Sequence, residues 1–212
     1  MLYLHMMRDR TREIDDVALS HGQARCVLRW LDLSIGEDEQ TFDAYIKSLR
    51  RDGVPFAPEE LGVGAGHNLT YKFVHLMELA VALALRTQGI LSRHIVGLLA
   101  LYRSDLRPLY RRAWVERESK LGAPRDVIIG SDTRPEKLRI WGTYLDLSLS
   151  FTDQGVLVVS KPRLLGPVEA LKDFVAPRPM FYPRPPLPAS QYAQSIVILA
   201  RNAPEIKRGR RS

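Results

Sequence analysis

From Leu69 to Trp114 apolar residues recur at helical spacing over the longest stretch of the chain, and this pattern restricts the fold more than any other feature. Phe73, Leu76, Met77, Ala80, Leu83 and Ala84 stand three or four residues apart, which places them on one face of a helix that Gly89 should end. A second helix follows, with Ser92 as its expected cap and Ile95, Leu98, Leu99 and Tyr102 on its inner face. Pro108 lacks an amide proton and clashes with the preceding turn, so it predicts a kink or a restart before the pattern resumes through Tyr110 and Trp114. Two amphipathic helices joined by a short break make a helical hairpin, and this hairpin is the expected structural hub. The most apolar run, Val74 to Leu85, carries His75 and Glu78 and falls short of the roughly 20 residues that span a bilayer.

Upstream, Val17, Leu28, Leu31 and Trp30 predict one or two helices between Ile14 and Leu33, interrupted around Ser20-His21-Gly22. After a break at Ser34-Ile35-Gly36, Phe42, Tyr45, Ile46 and Leu49 share one face of a helix from Gln40 to Arg51. Lys47, Arg50 and Arg51 lie on its other faces, and Gly53 closes it. The stretch from Val54 to Asn68 holds two prolines and Gly62-Val63-Gly64-Ala65-Gly66. It cannot sustain a helix and reads as an extended excursion or a tight hairpin.

Downstream, Gly122 to Lys137 is polar and rich in Gly, Pro and Asp, the composition of a linker. Leu145, Leu147, Leu149 and Phe151 then alternate with polar residues, Asp153-Gln154-Gly155 supplies a turn, and Val156 to Val159 returns as a second strand of a β-hairpin. A short helix begins at Pro167, a proline-punctuated segment runs to Pro188, a last helix spans Ala189 to Ala200, and the tail Lys207-Arg208-Gly209-Arg210-Arg211 is basic.

The 31 Lys and Arg residues against 24 Asp and Glu give a net charge of +7, which favours a polyanionic partner such as nucleic acid. Cys26 is the sole cysteine, so no intrachain disulfide or thiolate cluster can form, and a reducing cytoplasm is the expected compartment. Cys26 itself reads as a buried, inert thiol. His21, His67, His75 and His94 do not pair at metal-ligand spacing, and His75 reads as a core-edge residue. Gly62, Gly64 and Gly66 lack the Gly-Lys-Ser ending of a phosphate cradle. With no acid, base and nucleophile set apart, the chain is not expected to be an enzyme and no cofactor is expected. Arg103, Arg107, Arg111, Arg112 and Arg117 form the densest charge cluster, which either tracks phosphate or pairs with Asp105, Glu116 and Glu118.

A helix with a basic end, a Gly-rich excursion and a long amphipathic helix, in that order, form the outline of a winged helix-turn-helix. The stretch from Tyr45 to Leu99 resembles the MerR-type transcription regulators. Ile46-Lys47-Ser48-Leu49-Arg50-Arg51-Asp52-Gly53-Val54 matches the family's recognition-helix end, Gly66-His67-Asn68-Leu69-Thr70 its wing, and Leu76 to Leu99 with the waist Gln88-Gly89-Ile90-Leu91-Ser92 its following helices. Asn68 stands where the family carries a wing arginine, and Glu59-Glu60 where it tends to be basic.

The resemblance implies a cytoplasmic, dimeric regulator of transcription that binds duplex DNA. Lys47, Arg50 and Arg51 would act from the helix, and His67, Asn68, Tyr71 and Lys72 from the wing and its exit. The expected class is mostly α: a winged helix-turn-helix core and helical hairpin in residues 1–121, a linker at 122–137, and a small α+β segment at 138–212 that serves association or a protein partner. The alternative is a protein-interaction adaptor on the same scaffold that does not bind DNA.

Overall fold

A computed structural model describes residues 11–33, 37–61, 69–117, 119, 121–129, 136–147, 149–151, 157–159, 161–175 and 186–205. These fall into two compact units, one within Met1–Leu101 and Gln194–Ser212, the other within Tyr102–Ala193. Most of the chain in regular structure is helical, with short antiparallel strand pairs.

In the first unit, residues 11–15 are helical, β1 is Ala18–Leu19 and α1 is His21–Trp30. The break expected at Ser20-His21-Gly22 is the start of α1. Ser20 Oγ accepts the Gln23 amide at 3.4 Å and Gln23 Oε1 accepts the Ser20 amide at 3.0 Å, a reciprocal box that satisfies two helix-end donors. Helix α2, Glu39–Arg51, is capped by Asp38, whose carboxylate takes both the amide and the hydroxyl of Thr41 at 2.8 Å. Those bonds hold the Asp38 carboxyl below its ordinary range. Phe42, Ile46 and Leu49 of α2 are buried, as are Ala24, Val27 and Leu28 of α1.

Both expected glycine stops are Schellman motifs. After α2, Gly53 has φ +91°, its amide reaches the Arg50 carbonyl at 3.2 Å, and the Val54 amide reaches Leu49 at 2.8 Å. After α3, Phe73–Thr87, Gly89 has φ +79°, with bonds from Gly89 to Arg86 at 2.8 Å and from Ile90 to Leu85 at 3.1 Å. A left-handed residue at this place costs glycine nothing sterically.

Three departures from the expected helical hairpin have physical causes. Residues 71 and 72 are not helical but form β2, Tyr71–Lys72, paired antiparallel with β1 in the register Ala18↔Lys72 and Leu19↔Tyr71. Helix α3 is buried at every position from Phe73 to Leu85, including His75 and Glu78, so it is a central helix rather than an amphipathic one. Helix α4, Ser92–Val115, runs unbroken through Pro108. The carbonyl that Pro108 leaves unpaired is that of Ser104, and both residues are exposed, so water can take the place of the lost donor. The helix also starts one residue earlier than Ser92 would set it, because the Ile95 amide bonds the Leu91 carbonyl at 3.1 Å.

The second unit contains structure where a linker was expected. β3, Arg125–Ile129, pairs antiparallel with β4, Glu136–Ile140, so strand residues stand within the stretch 122–137 that reads as a connector. The division between the two units falls at Leu101 and Tyr102, within α4.

The expected C-terminal hairpin is present in two pieces. β5, Tyr144–Asp146, pairs with β8, Arg163–Leu165, and β6, Leu149–Phe151, pairs with β7, Leu157–Val159. Asp146 faces Arg163 whereas Leu149 faces Val159, so the register slips by one residue between the pieces. Strict alternation fails there: Leu145, Asp146 and Leu147 are all buried, and Arg163 Nε reaches Asp146 Oδ2 at 2.8 Å. Helices α5, Pro167–Val175, and α6, Ala189–Arg201, form as expected. The proline-rich segment between them and the basic tail lie outside the described residues, apart from 186–188 and 203–205.

Candidate nucleic-acid interface

Helix α2 carries the candidate site because its inner face is fixed in the core while a cationic face remains outside. Its N-terminal half has acidic residues and its last turn has Arg50 and Arg51, an order that also suits the helix dipole. The acidic half is neutralised by α1. Arg25 pairs with Asp43 and reaches Glu39 at 3.1 Å, and Arg29 reaches the same Glu39 oxygen at 2.9 Å. The far side of α2 is tied to α3, where Arg86 forks onto Glu37 with one arm at 3.0 Å and stacks 3.9 Å over the Tyr45 ring.

What stays cationic is the C-terminal half of the outward face. Lys47 is exposed and makes no ion pair among the described residues. Arg51 is mostly solvated and holds only local partners, Asp52 at 3.3 Å and Ser48 at 3.2 Å, which contribute little at such exposure. Arg50 is half-buried, and its positive charge opposes the burial that raises the Tyr71 phenol. Lys72, at the end of β2, is exposed.

Tyr71 departs from its expected place at the interface. It is fully buried, because successive strand residues point to opposite sides and Lys72 takes the outer one. Its ring meets the edge of Phe56 with centroids 4.9 Å apart, and its hydroxyl lies 3.0 Å from Nδ1 of His21. Burial pushes the Tyr71 phenol above its ordinary pKa, so it keeps its proton at neutral pH. His67, Asn68 and the Gly-rich run lie outside the described residues.

Sequence reasoning missed His21. Burial, and then the Arg50 guanidinium, lower its pKa, with Arg25 and Lys47 acting in the same sense and Asp43 against it. His21 is therefore neutral at pH 7, next to the cationic face but not part of its charge. Nothing in the local sequence marks it, since its partner lies 50 residues away.

Elsewhere, Arg112 pairs with Glu116 at 3.0 Å one turn along α4, and Arg117 stacks 3.7 Å from the Trp114 ring centroid while bonding its carbonyl at 3.0 Å. For Arg112 the local-pairing alternative holds, with Glu116 as the partner, whereas the contacts of Arg117 are to Trp114. In the first unit a cleft of about 370 Å³ is lined by Glu13, Asp16, Gln23, Arg201 and Glu205 among others, and Arg201 pairs there with Glu13 at 3.0 Å. Among the described residues no three His, Cys, Asp or Glu side chains gather as metal ligands, and no helix is long and apolar enough to cross a membrane. No family model, curated protein or solved structure matches the chain.

Proposed function

We propose that this protein binds duplex DNA through the outward face of α2, on a winged helix-turn-helix scaffold resembling that of the MerR-type regulators, and acts in transcription regulation. The observation that carries the reading is the set Lys47, Arg50 and Arg51. These cations share the exposed end of a helix whose other face is locked by Phe42, Ile46 and Leu49, and whose acidic half is neutralised from α1. The strand, helix, helix, strand order of β1, α1, α2 and β2, closed by the β1–β2 pairing, supports the same scaffold. A two-fold regulator places two such helices about 34–36 Å apart on successive major grooves. The proposal therefore includes a homodimer, with the second unit supplying association, which light scattering on the full chain tests.

The DNA-binding test is an anisotropy titration of a random-sequence duplex at several salt concentrations. Affinity should fall steeply with salt, each neutralised phosphate contributing about −0.9 to the slope of log K against log salt. Lys47→Ala combined with Arg51→Ala should weaken binding and flatten that slope while leaving the melting temperature in place. A double variant that binds like wild type would remove α2 as the reader. A wild-type protein without salt-dependent binding would leave the adaptor, in which the scaffold meets another protein.

A further inference from the structure

Helix α2 turns one narrow stripe outward. At about 100° per residue, Gln40, Ala44, Lys47 and Arg51 fall within roughly 60° of one another around the helix, opposite the buried Phe42, Ile46 and Leu49. All four are exposed. The acidic residues of the same half are engaged beside the stripe: Glu39 is met by Arg25 at 3.1 Å and by Arg29 at 2.9 Å, and Asp43 pairs with Arg25. Asp38 is held by the Thr41 cap. The stripe is therefore divided, with an amide and a methyl group in its first half and two cations in its second.

That division matches the two chemistries of a major groove. Gln40 to Arg51 spans about 16 Å along the axis whereas the groove is about 12 Å wide, so a helix entering by its N-terminal half brings its last turn to the groove wall, among the phosphates. Lys47 and Arg51 then meet the wall, and the neutral pair meets the floor. A glutamine amide donates and accepts at once, the complement of adenine, where N7 accepts and the N6 amine donates. An alanine methyl packs on the methyl group of thymine, and its small size lets the helix come close to the bases.

We propose that Gln40 and Ala44 are the base-reading residues of α2, Gln40 holding an adenine through N6 and N7 and Ala44 covering the methyl group of a thymine in the same site. This inference rests on the DNA-binding reading above. It separates specificity, at Gln40 and Ala44, from the phosphate contacts of Lys47, Arg50 and Arg51.

Selection from a pool of randomised duplexes by the full-length chain, followed by titration of the selected duplex, tests it. The site should hold an adenine whose replacement weakens wild-type binding about fivefold to a hundredfold, the range of one bidentate pair. Gln40→Ala should lose that discrimination with the salt slope unchanged, because no cation is removed. Replacing the adenine by 7-deazaadenine removes only the N7 acceptor, and its penalty should appear with wild type and vanish with Gln40→Ala. Replacing the thymines by uracil one at a time removes single methyl groups, and one of them should cost wild type about threefold, the scale of one buried methyl. Ala44→Gly should not distinguish thymine from uracil there. Ala44→Leu keeps the helix and its charge, carries the test should Ala44→Gly fail to fold, and should erase both preferences by holding the helix off the bases. Lys47→Ala should weaken all duplexes alike.

A selection without base preference, or preferences equal in wild type, Gln40→Ala and Ala44→Leu, would overturn the inference, although salt-dependent duplex binding would then stand. So would a preference that is lost with Lys47 and kept without Gln40. A wild-type protein that does not bind duplex removes both readings.

Discussion

Glu60 Oε1 lies 3.1 Å from Nε2 of the buried His75, and the same carboxylate takes the Ala57 amide on its other oxygen at 2.9 Å. The Lys72 amide donates to Nδ1 of that imidazole at 3.2 Å, so Nδ1 is bare and Nε2 carries the proton that Glu60 accepts. Glu60 is thus turned inward, tying the turn at Pro58–Glu60 to the base of α3, and only Glu59 of the acidic pair is exposed. Glu60→Ala would leave the Ala57 amide and the imidazole proton without this acceptor. It should cost about 1–3 kcal/mol in urea denaturation, the penalty for stranding buried donors. Glu59→Ala should change stability by less than about 0.5 kcal/mol, as surface substitutions do. Equal costs for the two would show that the carboxylate does not hold the turn.

Leu83 tests the helix at the centre of the first unit. It is 1% exposed on a helix with no solvent face between residues 73 and 85. Leu83→Ala removes buried methyl groups where the surroundings can collapse little, and should cost about 2–5 kcal/mol. A loss under about half a kcal/mol in chemical denaturation would mean that the side chain is not packed as described.

His21 gives the first unit a pH dependence of determined sign. Its folded pKa is lowered below the ordinary 6.5, by burial first and by the Arg50 guanidinium second, while Arg25 and Lys47 lower it further and Asp43 opposes. Below 6.5 the unfolded chain takes up the proton before the folded one does. The contribution to stability is complete above that pH and is lost as pH falls from there to the folded value. The slope attributable to His21 is the difference between wild type and His21→Gln in denaturation at about pH 7.5 and 5.5. Following the imidazole by NMR, Arg50→Ala should raise the His21 pKa. An unchanged value would separate the two side chains.

The features readable in the sequence are those whose causes are local. Gly53 and Gly89 announce their Schellman motifs because a left-handed residue after an apolar repeat has few other uses, and the inner face of α2 follows from the spacing of Phe42, Ile46 and Leu49. What was hidden depends on distant partners. β1 and β2 are two residues each, more than 50 positions apart, and too short for any period to register. The β3–β4 pair leaves a signal in the run Val127-Ile128-Ile129, but the Gly, Pro and Asp around it have the composition of a linker. Proximity to the expected wing places Tyr71 at the interface, and only the pairing with Leu19 turns it inward. His21 joins the site for the same reason: the fold delivers Tyr71 to it.

Gly142 and Gly53 share a backbone conformation and differ in surroundings, which separates strain from collision. Gly142 has φ +87° and Gly53 φ +91°, so an L side chain at either is strained by about 1–2 kcal/mol. A Cβ at Gly53 meets nothing within 4 Å, whereas one at Gly142 falls 2.2 Å from Ser190 Oγ. That hydroxyl is itself committed, since it accepts the buried Thr143 amide at 2.8 Å at the start of α6. Gly142→Ala must therefore displace Ser190 and strand the amide, and it should cost at least about 1 kcal/mol more than Gly53→Ala. The excess has a specific remedy. In a Ser190→Ala background the Thr143 bond is already gone, and the new methyl group meets only the Cβ of residue 190, at an ordinary 3.5 Å. There the added cost of Gly142→Ala should shrink to that of Gly53→Ala, a non-additivity that a double-mutant cycle in urea reads directly. If the two substitutions at 142 and 190 add independently, the close approach of Gly142 to Ser190 is not what requires glycine at this turn.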